Sequence, residues 1–494
     1  MSNLSDLLPS GAGGKQVDFV ASATLSNGQT VILNTNGTVT AITGSGSAES
    51  IPSGSVSSFQ SGVIYRTCVS MDPNNANKFI IAYAGGTGGY GRIAVGTISG
   101  NSISFGSDYV FSSVENNGSW VAFDPNTAGK FVVVYRASSS QANSKVGIVS
   151  GSTVSYGSAV TFNSANTREL CIGFDPNTAN RFVVTYSDLD AAGRSKVGTV
   201  SGTSISYGSE ATFESGNSIF NSIAFDPNTE NKFVVSYKDA GDSNKGKSVV
   251  GVISSTSISY GTPVMFNNAV SQHVDSSFDP NTENRFVVAY YDGGNGSYGT
   301  CNIGTVNGTT LSFSSKFVFN SAVTDRLSVD YDPNNNGKLA IAFRDAPNAG
   351  VYPLSAIAGT VSSTSITYGS KSTLESTEST YPSLFFNPNT SGQFVTGFSS
   401  AGNSMGAAVL GQINTISTNL TATNFIGVTD AAIANSATGS VTIKGGTTTS
   451  LSSLTVDSVY YVQANGAIST VSAAPAVRIG RALSSTSINL EFTA

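Results

Sequence analysis

One histidine, one tryptophan and three cysteines are all that this chain holds of the residue types that most often build metal centres and reactive sites. His273 stands alone, so no His/Cys spacing of a zinc site can form around it. Cys68 and Cys171 each fall three residues before the same repeat landmark, in units that are not neighbours, which puts them too far apart for a disulfide. With Cys301 they are expected as free thiols that pack as small hydrophobes. Charge is sparse as well: 11% of residues are charged, the net charge is −6, and acids and bases are scattered singly. A nucleic-acid groove needs clustered Lys and Arg, so that partner is excluded. No apolar run approaches the roughly 20 residues of a membrane-spanning helix, which argues against membrane insertion. The opening MSNLSDLLPSGAGGK has neither a basic segment nor an apolar one of a secretory signal. Export by another route, such as release on lysis, is the expectation.

What the chain does have is small turn-forming residues, 53 of them Gly, around a 39% hydrophobic content. That balance is too apolar for a disordered chain and favours many short strands over helices. An internal repeat organises them. Its landmark reads MDPNNANKFIIAY from Met71, FDPNTAGKFVVVY from Phe123, FDPNTANRFVVTY from Phe174 and FDPNTENKFVVSY from Phe225. It continues as FDPNTENRFVVAY from Phe278, YDPNNNGKLAIAF from Tyr331 and FNPNTSGQFVTGF from Phe386, where Asn387 replaces the usual Asp. The period of about 51 to 55 residues suits a propeller blade of four strands.

In the third unit, Glu169 to Phe174 reads as a first strand and Asp175-Pro176-Asn177 as a type I turn. Arg181 to Tyr186 and Lys196 to Val200 follow as strands, and Ser204 to Phe213 as a fourth, bent near Gly208. The recurring Phe131, Phe182, Phe233 and Phe286, with Tyr156, Tyr207, Tyr260 and Tyr368, are expected to fill the seams between units. Burying each is worth roughly 1.5 to 3 kcal/mol. The expected fold class is therefore all-β: a seven-bladed β-propeller, with an N-terminal extension closing the ring and a small C-terminal β domain. An open solenoid is the competing arrangement. The stretch TVILNTNGTVTAITGSGSAESI reads as the tail half of a repeat that would complete the last blade. The expected divisions are an N-terminal extension or anchor over 1–28, the propeller over 29–414 and the small domain over 415–494. In that last segment Asn465-Gly466 marks a hairpin, and DAAIANS reads as a short helical turn.

Alternate connections of an antiparallel blade emerge on opposite faces. The DPN and SGT turns share one face and barely vary, whereas the second-to-third strand loops and the links between units vary freely, so recognition is expected there. Tyr90, Trp120, Tyr291, Tyr298, Tyr352 and Tyr381 are candidate sugar-stacking or protein-docking groups on that face, with loop packing as the alternative. Asp188, Asp239, Asp292 and Asp345 recur after the second strand and would form a partial ring of carboxylates for a cation or polar ligand, or else cap loops. The repeated DPN aspartates are turn residues, since a catalytic group need occur only once. No Ser-His-Asp set, P-loop or metal-ligand cluster is found, so neither a catalytic residue nor a cofactor is expected. A pair of facing carboxylates for glycan cleavage stays open, since sequence spacing does not reveal it.

Three features resemble virion appendage proteins of tailed phages, marine ones in particular: the opening MSNLSDLLPSGAGGK with TVILNTNGTVTAI, the array of FDPNT…VGTVSGTSISYGS units, and the ending NFIGVTDAAI…YYVQANGAIS…VRIGRALSSTSINL. The array also resembles the plan of YVTN-type surface propellers, whose Pro-Asp-Gly turn stands where Asp-Pro-Asn stands here. The first resemblance implies a non-enzymatic tail fibre or receptor-binding appendage that meets a host-surface glycan or protein. A capsid decoration protein without a receptor and a glycan-degrading enzyme are the alternatives. It also implies a place in the virion, assembly with other virion structural proteins and a homo-oligomer, with a trimer as the usual symmetry of such appendages.

Overall fold

The computed structural model describes residues 15–493 apart from 45–48, 53, 63, 138–139, 189, 347–349, 415–417, 422 and 473–476. The first 14 residues, part of the expected anchor, lie outside the described residues. The chain divides into two compact units: Ser50–Asn414, and a second that joins Met1–Glu49 to Thr415–Ala494.

Ser50–Asn414 holds seven antiparallel blades. The third is built from Arg168–Phe174, Arg181–Ser187, Gly193–Ser201 and Ser204–Tyr207, paired in that order, with Ala211–Glu214 continuing the outer edge beyond a bend at Gly208. Three strands run unbroken from the outer edge of one blade into the innermost position of the next: Ser102–Phe123, Val264–Phe278 and Phe317–Tyr331. Cross-strand pairing explains the conserved rhythm of each blade. Phe182 lies directly opposite Gly198, and a Cβ on that glycine would come within 2.2 Å of the ring. The ring thus covers a backbone that no other residue would leave bare. Between blades, Gly208 lies so near the Thr256 carbonyl of the next turn that a Cβ would stand 1.9 Å from its oxygen. Tyr207 fills the seam, edge-on to Phe182 at 5.9 Å and tilted against Phe162 of the preceding blade at 5.3 Å. These aromatic pairs add roughly 0.5–1.5 kcal/mol each beyond the area they bury.

The blades close into a ring. The Asp of each DPN turn caps its own turn, as when Asp175 Oδ1 accepts from the Asn177 amide at 2.9 Å. The Asn side chain of the same turn then reaches the next blade. Asn74, Asn126, Asn228 and Asn281 donate to the carbonyls of Pro125, Pro176, Pro280 and Pro333, all at 3.3 Å. Asn177 and Asn334 reach the residue before the proline, Asp226 at 3.4 Å and Asn387 at 3.3 Å. Asn389 of the last blade completes the circuit on Pro73 of the first, at 3.2 Å. Val69, Phe79 and Ile81 of blade 1 also share a core with Val395, Ala408 and Leu410 of blade 7. An open solenoid has no such contact between first and last units.

The innermost strands leave amides facing the ring axis, and side chains of the preceding blade satisfy them. Val121 donates to Cys68 Sγ (3.4 Å), Ser276 to Ser222 Oγ (3.1 Å), Val329 to Asp275 Oδ2 (2.9 Å), Leu384 to Ser328 Oγ (3.1 Å) and Val69 to Ser383 Oγ (2.9 Å). Cys68 thus acts as an acceptor rather than only as a small hydrophobe. Cys301 is fully buried.

Two expectations are corrected. The strand that completes the last blade is Val56–Ser61, paired with Met405–Gln412, and not the earlier TVILNTNGTVTAI stretch. That stretch supplies Thr30–Leu33 and Val39–Ala41 to a sheet with Phe425–Thr429, Thr438–Ile443 and Gln16–Val20. Residues 29–49 therefore leave the propeller, and the small β domain is made from both ends of the chain. A second sheet there joins Thr447–Thr448, Ile488–Thr493, Val477–Ala482, Val459–Val462 and Ile468–Ser469. The Asn465-Gly466 hairpin is present between the last two, with Gly466 at φ +83°. DAAIANS is not helical: Ile433 bridges to Leu25 and is buried, so its backbone is extended by pairing.

Candidate functional site

A cavity of about 620 Å³ runs along the axis of the propeller, walled by the innermost strands of all seven blades. The DPN prolines, from Pro73 to Pro388, line one end. Variable side chains line the other, and a repeated bulge puts them there. In every blade the pairing of the innermost strand slips near its start, for example between Tyr65 and Thr67, Gln272 and Asp275, and Thr380 and Ser383. The bulged residue takes a left-handed backbone in six blades: Arg66 (φ +48°), Glu169 (+49°), Phe220 (+57°), His273 (+51°), Arg326 (+46°) and Tyr381 (+55°). Such a conformation costs a non-glycine residue of order 1–2 kcal/mol. In the second blade Gly118 stands at this place.

The six side chains surround the mouth, and several meet across blade boundaries. The Arg66 guanidinium lies over Trp120 at 5.5 Å and that of Arg326 over Tyr381 at 4.1 Å. Phe220 stacks against His273 with ring centres 4.6 Å apart, and its amide donates to Glu169 Oε2 at 2.9 Å. His273 Nε2 meets Asp325 Oδ1 at 2.5 Å, and Arg344 holds Oδ2 of the same carboxylate at 2.6 Å while its guanidinium covers Tyr352 at 4.0 Å. Burial pushes the Asp325 pKa up, but His273, Arg344 and Arg326 outweigh it and hold the carboxyl well below its usual range. The mouth is a belt of rings and paired charges on a rigid frame.

Of the aromatic candidates, Trp120 and Tyr381 line this cavity and Tyr352 joins through Arg344. Tyr90 begins the third strand of blade 1, half-buried, and is not among the residues lining the cavity. Tyr291 and Tyr298 flank one loop of blade 5, where Ser297 donates to the Tyr291 hydroxyl at 2.6 Å, and they do not line the cavity either. Of the two readings of the repeated aspartates, the bonds they make are those of the loop-capping one: these aspartates lock loops and links. Asp239 accepts from the Gly241 amide (2.9 Å) and Lys247 (2.8 Å). Asp292 accepts from Gly294 (3.0 Å), Asn267 (3.0 Å) and Lys316 (2.7 Å), and Asp345 from Asn320 (3.0 Å) and Lys371 (2.6 Å). Asp188 is held by Arg194 at 3.0 Å. Three of the four are buried with their oxygens occupied, which leaves little for a ligand. His273, the chain's lone histidine, lies within a strand at the mouth.

Arg66, Glu169, Phe220, His273 and Arg326 escaped sequence reasoning, yet the repeat carries a signal for them. Each sits five residues before the landmark aromatic, as Arg66 does before Met71, in a column that reads Arg, Gly, Glu, Phe, His, Arg, Tyr along the chain. A column this varied inside a frame this constant marks display positions. Among the described residues, no three His, Cys, Asp or Glu side chains are grouped to hold a metal ion.

No family model matches the chain, and no curated protein matches it. Solved structures do. Sqt1 from Saccharomyces cerevisiae is similar with a TM-score of 0.44 at 9% identity, covering 74% of this chain and 99% of that one. Sqt1 from Chaetomium thermophilum gives a TM-score of 0.45 at 12% identity, over 71% of this chain and 83% of that one. The BP39L lectin from Burkholderia pseudomallei reaches a TM-score of 0.54 at 10% identity, over 73% of this chain and 98% of that one, and this likeness supports the β-propeller fold.

Proposed function

We propose that this chain is a non-enzymatic recognition protein of a tailed-phage particle, a tail fibre or receptor-binding appendage whose channel mouth meets a host-surface glycan or protein. One observation carries the recognition part: identical strained bulges present chemically different side chains around one cavity. A bulge kept for its backbone alone is best served by glycine, as at Gly118, whereas the other six blades carry Arg, Glu, Phe, His, Arg and Tyr there at a cost in strain, which ligand recognition would justify. The rings at the mouth give a saccharide apolar faces, and the paired charges give its hydroxyls fixed partners. One similar propeller is a lectin, which accords with a saccharide ligand. The phage part rests on the resemblance of the two chain ends and the repeat units to virion appendages. In that setting the protein acts in the virion as a homo-oligomer, a trimer by the habit of such appendages, docked on other structural proteins.

Fluorescently labelled protein, incubated with bacteria that the particle infects, should adsorb and compete with infection. A Phe220→Ala/Tyr381→Ala variant that remains folded should lose adsorption. Absence of adsorption by the native protein would instead leave a decoration protein of the capsid, and labelled particles seen by electron microscopy would locate it.

A further inference from the structure

Beside the main cavity lies a smaller recess of about 190 Å³, lined by Arg66, Trp120, Arg136, Arg168, Glu169 and Leu170. Three guanidiniums and a single carboxylate converge there in a protein that is negative overall. The rest of the molecule shows how unusual this is. Arg92, Arg181, Arg194, Arg285, Arg326, Arg344, Arg478 and Arg481 each lie within 4 Å of a carboxylate. Among the described residues, the arginines with no such partner are Arg66, Arg136 and Arg168, the three of the recess.

Their bonding capacity is largely unspent. Arg136 donates from Nη2 to Ser140 Oγ at 3.2 Å, while its Nε is buried with no hydrogen-bond partner among the described residues. An unmet charged donor of this kind costs more than about 1–3 kcal/mol unless something occupies it. Among the described residues, Arg66 is occupied only by the Trp120 ring. Arg168 is exposed. Glu169 cannot serve all three, because its Oε2 already accepts from the Phe220 amide. The Arg136 pKa is pushed down, first by burial and then by the Arg168 and Arg66 charges, with Glu169 opposing only in part. Blade 2 also departs from its siblings here. Gly118 at the bulge position keeps the space open, since a Cβ there would stand 3.0 Å from the Trp120 ring and 3.3 Å from Arg66 Cδ.

We propose that this recess binds an oxyanion substituent, carboxylate or sulfate, of an acidic saccharide, held by Arg66, Arg136 and Arg168 beside the Trp120 ring. The guanidinium forks suit such groups because they offer paired N–H donors in one plane. Trp120 adds the apolar wall on which a sugar ring rests. This deepens the recognition reading and rests on it for the saccharide, though not for the anion.

Trp120 is the chain's single tryptophan, so its fluorescence reports on the recess directly. The probes are sodium sulfate against sodium chloride at equal ionic strength, a trigalacturonate, a sulfated disaccharide and a neutral galactose trisaccharide. Sulfate and at least one acidic saccharide should perturb the signal and bind at least about tenfold more tightly than the neutral sugar. Arg168→Gln should weaken acidic binding about tenfold without moving the thermal midpoint, since Arg168 is exposed and has no ion pair to lose; Arg136→Gln is the second variant, and Arg168→Lys should rescue in part. Equal binding of acidic and neutral saccharides, unmoved by either glutamine variant, overturns the anion site and leaves the recognition reading standing. Binding of sulfate but of no saccharide keeps the site and sinks its saccharide ligand. No response to sulfate or to any acidic saccharide overturns the proposal outright.

Discussion

Replacing Asp330 with asparagine tests how the innermost strands are held together. Its Oδ2 accepts from the Phe386 amide of the next blade at 2.9 Å, and Oδ1 accepts from the Tyr331 amide at 3.0 Å and the Ser277 hydroxyl at 2.9 Å. Burial pushes its pKa up to about 7; these hydrogen bonds pull against that, and Asp275 nearby adds to the rise. The folded chain therefore keeps a proton that the unfolded chain, with an ordinary value of 3.8, gives up. The stability contributed by this group is whole below about pH 4 and is lost as pH rises through about 7. A gap of about three pH units corresponds to roughly 4 kcal/mol. The residue as a whole is only half-buried, because its strand faces the channel, and water there screens the effect, so about 2 kcal/mol is the figure expected. An amide cannot ionise. The stability difference between native protein and Asp330→Asn should thus shift in favour of the variant by about 2 kcal/mol between about pH 4.5 and about pH 8. At the acid end the variant should be the weaker by about 1 kcal/mol, having lost one acceptor. Urea unfolding followed by Trp120 fluorescence at four pH values measures this. Asp72 also has a raised value but is present in both proteins and cancels, while Asp275, relieved of the Asp330 charge in the variant, shifts the difference in the same direction. A difference that stays flat with pH would refute the reasoning.

Three further outcomes follow from the same structure. Phe59, on the strand that completes blade 7, packs against Tyr83 at 5.0 Å and Phe105 at 5.4 Å in blade 1. Phe59→Ala should cost about 2 kcal/mol, less than a fully buried Phe because it is half-exposed, and a loss near zero by urea titration would mean that this strand does not seal the ring. Gly198→Ala drives a methyl group to 2.2 Å from the Phe182 ring and should destabilise by about 1–3 kcal/mol, whereas Gly106→Ala, whose Cβ would meet nothing nearer than 3.7 Å, should cost less, as thermal denaturation will show. Burial pushes the thiols of Cys68, Cys171 and Cys301 up to about 11, about 12 and about 12. An aromatic disulfide reagent near pH 8 should therefore find none of them in the native protein and all three after denaturation, and rapid native labelling of Cys68 would contradict its placement against the Val121 amide.

What the chain says on its own is the blade. The Asp-Pro-Asn turn, the Val-rich strand after it and the tight turn after Val200 are set by local chemistry: a preset proline angle, an Asp that caps its own turn, β-branched side chains on a pleat. Seven copies that cannot bury their faces singly require stacking. The closure into a ring depended on partners that no local pattern names. Val56–Ser61 is a Ser-rich segment with little strand character of its own, so its place beside Met405–Gln412 is decided by the open edge it finds there. The TVILNTNGTVTAI stretch looks like a repeat tail because alternation and an Asn-Gly turn are common to all hairpins, and only pairing with Phe425–Thr429 assigned it elsewhere.

The site was legible in part, through Trp120, Tyr381 and Tyr352, because large aromatics in a repeat stand out. The aspartates carried two readings from the sequence, a ligand ring or a loop cap, and their bonds to Lys316, Lys371 and Lys247 are those of the loop cap. Arg66, Arg136 and Arg168 are separated by 70 and 32 residues in sequence. The sequence by itself determined the fold of each unit, since turns and strands are local. Tertiary structure alone decided which side chains face one another, because charges from three blades meet only after the ring has bent them onto a common mouth.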